Sequence, residues 1–244
     1  MRSRFWCSAA VLFLAGCGGS HAADPYAYDH GRPLATRDAG VALAGRKVTV
    51  HVVSYDGGAG RVNAFVLVPR APGRHPAVLF LHGSGGNRED LLVPAVELAN
   101  RGVVTMTISQ PDDAATFRPL VVNAHRALDV LSARGDVDPR RLGLVGYSLG
   151  AQTAAILAGD EPRLKAVGII AGRGGPVPLY WIRKAHAHLF FEADTQDAVV
   201  PHAQLAALIR AAPGHPLVRW YVTGHGMDTR SMEDMVAWQG QELR

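Results

Sequence analysis

From about residue 46 onward, two kinds of apolar run alternate along the chain. Residues 48–54 and 62–68 are β-branched runs that alternate apolar and polar positions. Asp56-Gly57-Gly58 separates them, which predicts an antiparallel hairpin. Residues 77–81 are continuously apolar, the pattern of a strand buried on both faces. Further strand-like runs lie at 103–108, 142–147, 166–170, 189–193 and 217–222. Helical stretches fall between them: 88–101, stopped by Gly102; a segment from Pro119 to 133 with Leu120, Ala124, Ala127, Leu128 and Leu131 on one side; 149–158; 203–211; and 231–243. Strand and helix in alternation predict an α/β domain over 46–244, built on a mostly parallel sheet of about eight strands with helices on both faces. No internal repeat and no Pro/Ser-rich linker divides it.

The first residues follow a different pattern. Arg2 and Arg4 precede an apolar stretch at 5–15, too short to cross a bilayer core of about 30 Å. Residues 1–16 therefore read as an export signal. The stretch ends in Leu14-Ala15-Gly16-Cys17, which resembles the lipobox of bacterial lipoproteins. That resemblance implies a lipid on Cys17 and anchorage of the exported protein in the cell envelope, with residues 17–45, rich in Gly, Ala, Asp and Pro, as a tether. Ser20-His21-Ala22 offers the alternative, cleavage after Ala22 to give a soluble periplasmic protein.

Composition narrows the chemistry. The two cysteines are Cys7 and Cys17, so residues 18–244 hold no disulfide framework, Cys-ligated zinc site or thiol nucleophile. The formal net charge of +4 is spread without a basic stripe of interleaved aromatics, which argues against nucleic acid as a partner. The sequence does not indicate an oligomeric state.

The strongest chemical signal is Gly146-Tyr147-Ser148-Leu149-Gly150, directly after an apolar strand and directly before a small-residue helix. Such a sharp turn lifts a serine above the sheet, and glycines two before and two after it let strand and helix approach. The helix start aims its free amides and positive dipole end at the same place. His82-Gly83-Ser84-Gly85-Gly86-Asn87, after the strand at 77–81, is a Gly-rich loop whose amides suit an oxyanion hole. The expected donors are the amides of Leu149 and Ser84, with His82 in a structural role. Neither dinucleotide nor P-loop glycine spacing is met here. Downstream, Asp194-Thr195-Gln196-Asp197 and Gly224-His225-Gly226 follow strand ends, so an acid and a base come after the serine in chain order. His186, His188, His202 and His215 lack such a frame and read as surface residues.

These motifs resemble the α/β-hydrolase superfamily, and within it the dienelactone-hydrolase-like and small esterase branches, over roughly residues 46–244. The resemblance implies Ser148 as nucleophile, Asp197 as acid and His225 as base, with no metal or organic cofactor. Dienelactone hydrolases carry a Cys nucleophile where this chain has Ser148, and the Gly usual three residues before the acid is Asp194 here. The expected activity is cleavage of carboxylic esters of small soluble molecules. Peptidase or transacylase chemistry on the same triad, and a non-catalytic binding lipoprotein, are the alternatives. Arg173 reads either as a partner for a substrate carboxylate or as a surface charge. Tyr180 and Trp181 either line a pocket or pack their loop. Only some fifteen residues (172–186) separate two strands there, so no lid domain is expected.

Overall fold

The computed structural model describes residues 24–111 and 116–244. The expected export signal at 1–16 and Cys17 lie outside the described residues.

Nine strands form one sheet: β1 (Arg37–Ala44), β2 (Val48–Asp56), β3 (Arg61–Pro69), β4 (His75–Leu81), β5 (Val104–Ile108), β6 (Val137–Tyr147), β7 (Leu164–Ile170), β8 (His188–Asp194) and β9 (Leu217–Tyr221), in the spatial order β1-β2-β3-β5-β4-β6-β7-β8-β9. The first three pair antiparallel, as does β3 with β5, and the remaining six run parallel. The central strands are buried nearly throughout, which is why they read as continuous apolar runs.

Helices α1 (Leu92–Asn100) and α6 (Thr229–Glu242) cover one face through Ala95, Leu98, Met235 and Val236. The helices α2 (Arg118–Ser132), α3 (Leu149–Asp160), α4 (Pro176–Ile182) and α5 (His202–Ala211) cover the other, through Val121, Ala154, Ile182 and Leu208 among others. This is the α/β-hydrolase architecture. The helix after β4 lies on one face and the helix after β6 on the other, although β4 and β6 are neighbours. The crevice that opens between their carboxyl ends is where ligands bind in open α/β sheets.

The structure corrects two expectations. The reading of 17–45 as a tether fails for its described part, which folds onto the domain. Tyr26 is buried in the core and its ring lies 5.6 Å from that of Trp181. Tyr28 donates to Asp129 at 2.8 Å. Arginines of α2 then bond the segment's carbonyls: Arg118 reaches Ala27 O at 2.7 Å and Arg126 reaches Pro33 O at 2.8 Å. Beyond it β1 pairs with β2 as an edge strand, with every residue exposed. This strand, β1, gave no periodic signal because it is held by its backbone ladder and not by a buried face. Second, Trp181 does not line the cleft at Ser148. The segment 172–186 holds α4, and Trp181 packs there against Tyr26, Tyr180 and Lys184. Gly159 of α3 lets α4 come so close that a Cβ would sit on the Trp181 carbonyl. Docked on α3 in this way, α4 contributes no residue to the cleft at Ser148, and the segment is no lid.

Candidate active site

Ser148 stands between β6 and α3 with φ 54° and ψ −109°, a backbone conformation costing about 1–3 kcal/mol for a residue with a Cβ. Its own amide donates to Ile170 O at 3.0 Å, so the turn is fixed to β7. The flanking glycines are required by contact. A Cβ on Gly146 would overlap the backbone of Gly150, and one on Gly150 would sit on the Leu81 carbonyl oxygen at the end of β4. The strained turn therefore exists because strand, helix and neighbouring strand meet without side chains between them.

The loops after β8 and β9 complete the arrangement. His225 Nε2 is 2.9 Å from Ser148 Oγ, and His225 Nδ1 is 2.8 Å from Asp197 Oδ2. With a carboxylate at Nδ1, that nitrogen carries the proton and Nε2 is left to accept from the serine hydroxyl. The other oxygen of Asp197 accepts from the amides of Val199 and Val200 at 2.7 and 2.8 Å. Burial pushes the Asp197 carboxyl upward, but the bonds from His225 and from the two amides outweigh it and hold the group below its ordinary value. The acid stays ionised where it faces the imidazole.

Asp194 occupies a different place. It is 1% exposed, accepts from Thr223 Oγ1, and makes no hydrogen bond to the imidazole, whose Nδ1 is taken by Asp197. It neither caps its loop nor faces solvent. Burial pushes its carboxyl up, against the bond from Thr223, and the charge of Asp197 adds to the rise.

On the other side of Ser148, the loop 82–87 approaches so closely that a Cβ on Gly83 would crowd the Tyr147 ring and the Ser148 Cβ. His82 is buried beneath it, accepting from the Gln110 amide at 2.8 Å through Nε2 and donating from Nδ1 to Gly83 O at 2.6 Å. Both nitrogens are thereby used, and His82 supports the loop. Ser84 and Leu149 both line the cleft beside Ser148, and the Leu149 amide belongs to the first turn of α3, which has no earlier helical carbonyl to bond. Arg173 lines the same cleft, while His186, His188, His202 and His215 are exposed elsewhere. The cleft encloses about 620 Å³. Among the described residues no group of three or more His, Cys, Asp or Glu is placed to hold a metal ion.

Tyr147 and Thr223 belong to the site without having been singled out in the sequence. The Tyr147 hydroxyl donates to His225 O at 2.9 Å and its ring lies 5.3 Å from the imidazole, so the residue before the serine also steadies His225. Neither residue type at those positions carries a signal by itself.

With this geometry in hand, comparison with known proteins is informative. The family model described as Acetyl xylan esterase (AXE1) matches residues 44–171, just over half of the chain. This chain belongs to the acetyl xylan esterase (AXE1) family. The matched stretch includes the loop 82–87 and Ser148 and ends before Asp197 and His225. Among solved structures, an acetyl xylan esterase from Paenibacillus sp. R4 superposes with a TM-score of 0.76 at 19% identity, covering 87% of this chain and 90% of that one. A dienelactone hydrolase from Anabaena variabilis superposes with a TM-score of 0.70 at 19% identity, covering 82% and 100%. At these identities the likeness speaks for the fold. Among curated proteins, the 2,6-dihydropseudooxynicotine hydrolase of Paenarthrobacter nicotinovorans is 29% identical over 108 residues, 42% of this chain. The chain spans only 29% of that hydrolase's length.

Proposed function

We propose that this chain is a serine hydrolase that cleaves carboxylic esters of small, soluble substrates through an acyl-enzyme on Ser148. The observation that carries the reading is the continuous line from Ser148 Oγ through both nitrogens of His225 to Asp197, set on a strained turn at the crevice of the sheet. Ser148 attacks the ester carbonyl as His225 Nε2 takes its proton, and Asp197 stabilises the imidazolium that forms. The amides of Leu149 and Ser84 hold the negative charge that develops on the carbonyl oxygen. The alcohol leaves with the proton from His225. Water then attacks the acyl group, giving its proton to His225, and the tetrahedral intermediate collapses to free acid and Ser148 hydroxyl. Membership of the acetyl xylan esterase family makes acetyl esters the first substrates to try.

The test is a series of p-nitrophenyl esters of graded chain length, run on the wild type and on Ser148→Ala. Activity highest on short acyl chains, and reduced on the order of 10³-fold or more in the folded variant, is expected. A folded variant that hydrolyses them at the wild-type rate would remove Ser148 from the mechanism.

The same reading places the protein outside the cytoplasm, anchored through a lipid on Cys17. The support is Leu14-Ala15-Gly16-Cys17 at the end of an apolar run. Labelled palmitate should enter the wild type expressed in a bacterial host and not Cys17→Ser; equal incorporation, or none in either, would favour cleavage after Ala22.

A further inference from the structure

The cleft beside Ser148 carries a charge that ester hydrolysis does not use. Its walls are formed by Phe117, Gln152, Val199 and Val200 together with the serine turn and the loop 82–87. Among the described residues, Arg173 is the one side chain of permanent charge that lines it. No carboxylate among the described residues forms an ion pair with this guanidinium. It donates from Nη2 to Val199 O at 2.9 Å, which leaves most of its donor fork unused.

The chain that carries Arg173 is tightly constrained. Where β7 ends, Ala171 turns with φ 50°, a conformation that a residue with a Cβ adopts only under compulsion. On Gly172 a Cβ would overlap the Ile169 side chain, and on Gly174 it would sit on the Gln204 carbonyl of α5. The backbone on both sides of Arg173 is thus pressed onto the body of the protein, and the exposed side chain lines the cleft. A cation with no ion pair among the described residues, in a crevice whose described lining is otherwise apolar or neutral, draws an anion, and the guanidinium fork matches a carboxylate in two-point geometry.

We propose that Arg173 determines specificity, binding a carboxylate carried by the ester substrate on its acyl or its alcohol part while the scissile carbonyl lies at Ser148. The proposal rests on the reading of Ser148 as nucleophile, so its test has a kinetic and a binding arm.

For kinetics, two ester pairs match in size and differ in charge: p-nitrophenyl hemiglutarate against p-nitrophenyl pentanoate for the acyl side, and p-acetoxybenzoate against its methyl ester for the alcohol side. The wild type should favour the anionic member of one pair, which tells the side. Arg173→Met, which keeps an apolar stem, should lower the anionic-to-neutral ratio of kcat/KM about 10- to 100-fold, the range of a charge-assisted hydrogen bond, with Arg173→Lys intermediate. For binding, the p-nitroanilides of glutaric and pentanoic acid, followed by calorimetry on Ser148→Ala protein, need no turnover. If the acyl side is read, the glutaric anilide should bind tighter than the pentanoic one; if the alcohol side is read, p-acetamidobenzoate should bind tighter than its methyl ester; and adding Arg173→Met should erase the difference. No charge preference of the wild type in either ester pair, or one that survives intact in folded Arg173→Met, would overturn the proposal. Failure of Ser148→Ala to lose activity would instead overturn the nucleophile, while charge-dependent binding would still speak for Arg173.

Discussion

Glu192 lies at the heart of β8, fully buried, with neither carboxyl oxygen in a hydrogen bond among the described residues. Asp194 follows two positions later on the same face of the strand, and Ser231, Asp228 and Asp234 approach from α6 and its N-terminal flank. Burial pushes the Glu192 carboxyl from 4.5 up to about 8; the Ser231 hydroxyl opposes the rise, and the nearby acids add to it. The folded protein then keeps this proton where the unfolded chain has released it. The contribution of Glu192 to stability therefore falls as pH rises from about 4.5 to about 8 and levels off above that. Glu192→Gln cannot ionise. Relative to wild type it should gain stability across that window, by an amount on the order of a few kcal/mol at its upper end. Melting temperatures of both proteins across this pH range check this; a difference between them that does not change with pH would exclude a buried neutral Glu192. The sequence shows Glu192 only as one polar residue in an apolar strand, and its burial follows from α6, which the chain supplies some forty residues later.

The loops after β8 and β9 act together. Gln196 N donates to Thr223 O at 3.0 Å, Thr195 N donates to Tyr221 O at 2.9 Å, and the Thr223 side chain reaches Asp194. These bonds set the distance between Asp197 and His225. Asp197→Asn should cut kcat about 10⁴-fold, because removal of the acceptor favours the wrong imidazole tautomer. Asp194→Asn keeps an oxygen for Thr223 and should cost less than about tenfold, mainly through loop stability. Rates on one short ester at matched folded fraction decide; a crippled Asp194→Asn with an active Asp197→Asn would exchange their roles. One spacing in the sequence points to Asp197 over Asp194, Pro201 four residues on; chain order does not separate them, since both precede His225. Element ends were less legible. Helix α1 begins at Leu92 and not at 88, because the Asn87 side chain takes the Glu89 amide and turns the chain first. Helix α4 was missed because Pro176–Ile182 is short, with two prolines and no 3.6-residue stripe.

At the scale of the molecule, the parallel sheet, the hairpin and the order of five of the six helices follow from the alternation of apolar runs, since burial on both faces leaves the central strands no other composition. What the pattern concealed lies at the N-terminal side. Residues 24–34 are held by arginines of α2 that bond backbone carbonyls, and β1 by a ladder of peptide groups, interactions that leave little trace in side-chain periodicity. The topology in turn explains the site: β4 and β6 send their helices to opposite faces, and the crevice this opens receives Ser148, the loop 82–87 and the two loops from β8 and β9. The account's central claim is that this convergence activates one serine. Treatment of the intact protein with a fluorophosphonate, followed by mass spectrometry of the whole chain and its peptides, tests it most directly. One adduct per chain on Ser148 is predicted, absent from Ser148→Ala and strongly slowed in His225→Ala; no adduct on the folded wild type, or labelling that survives Ser148→Ala unchanged, would contradict it.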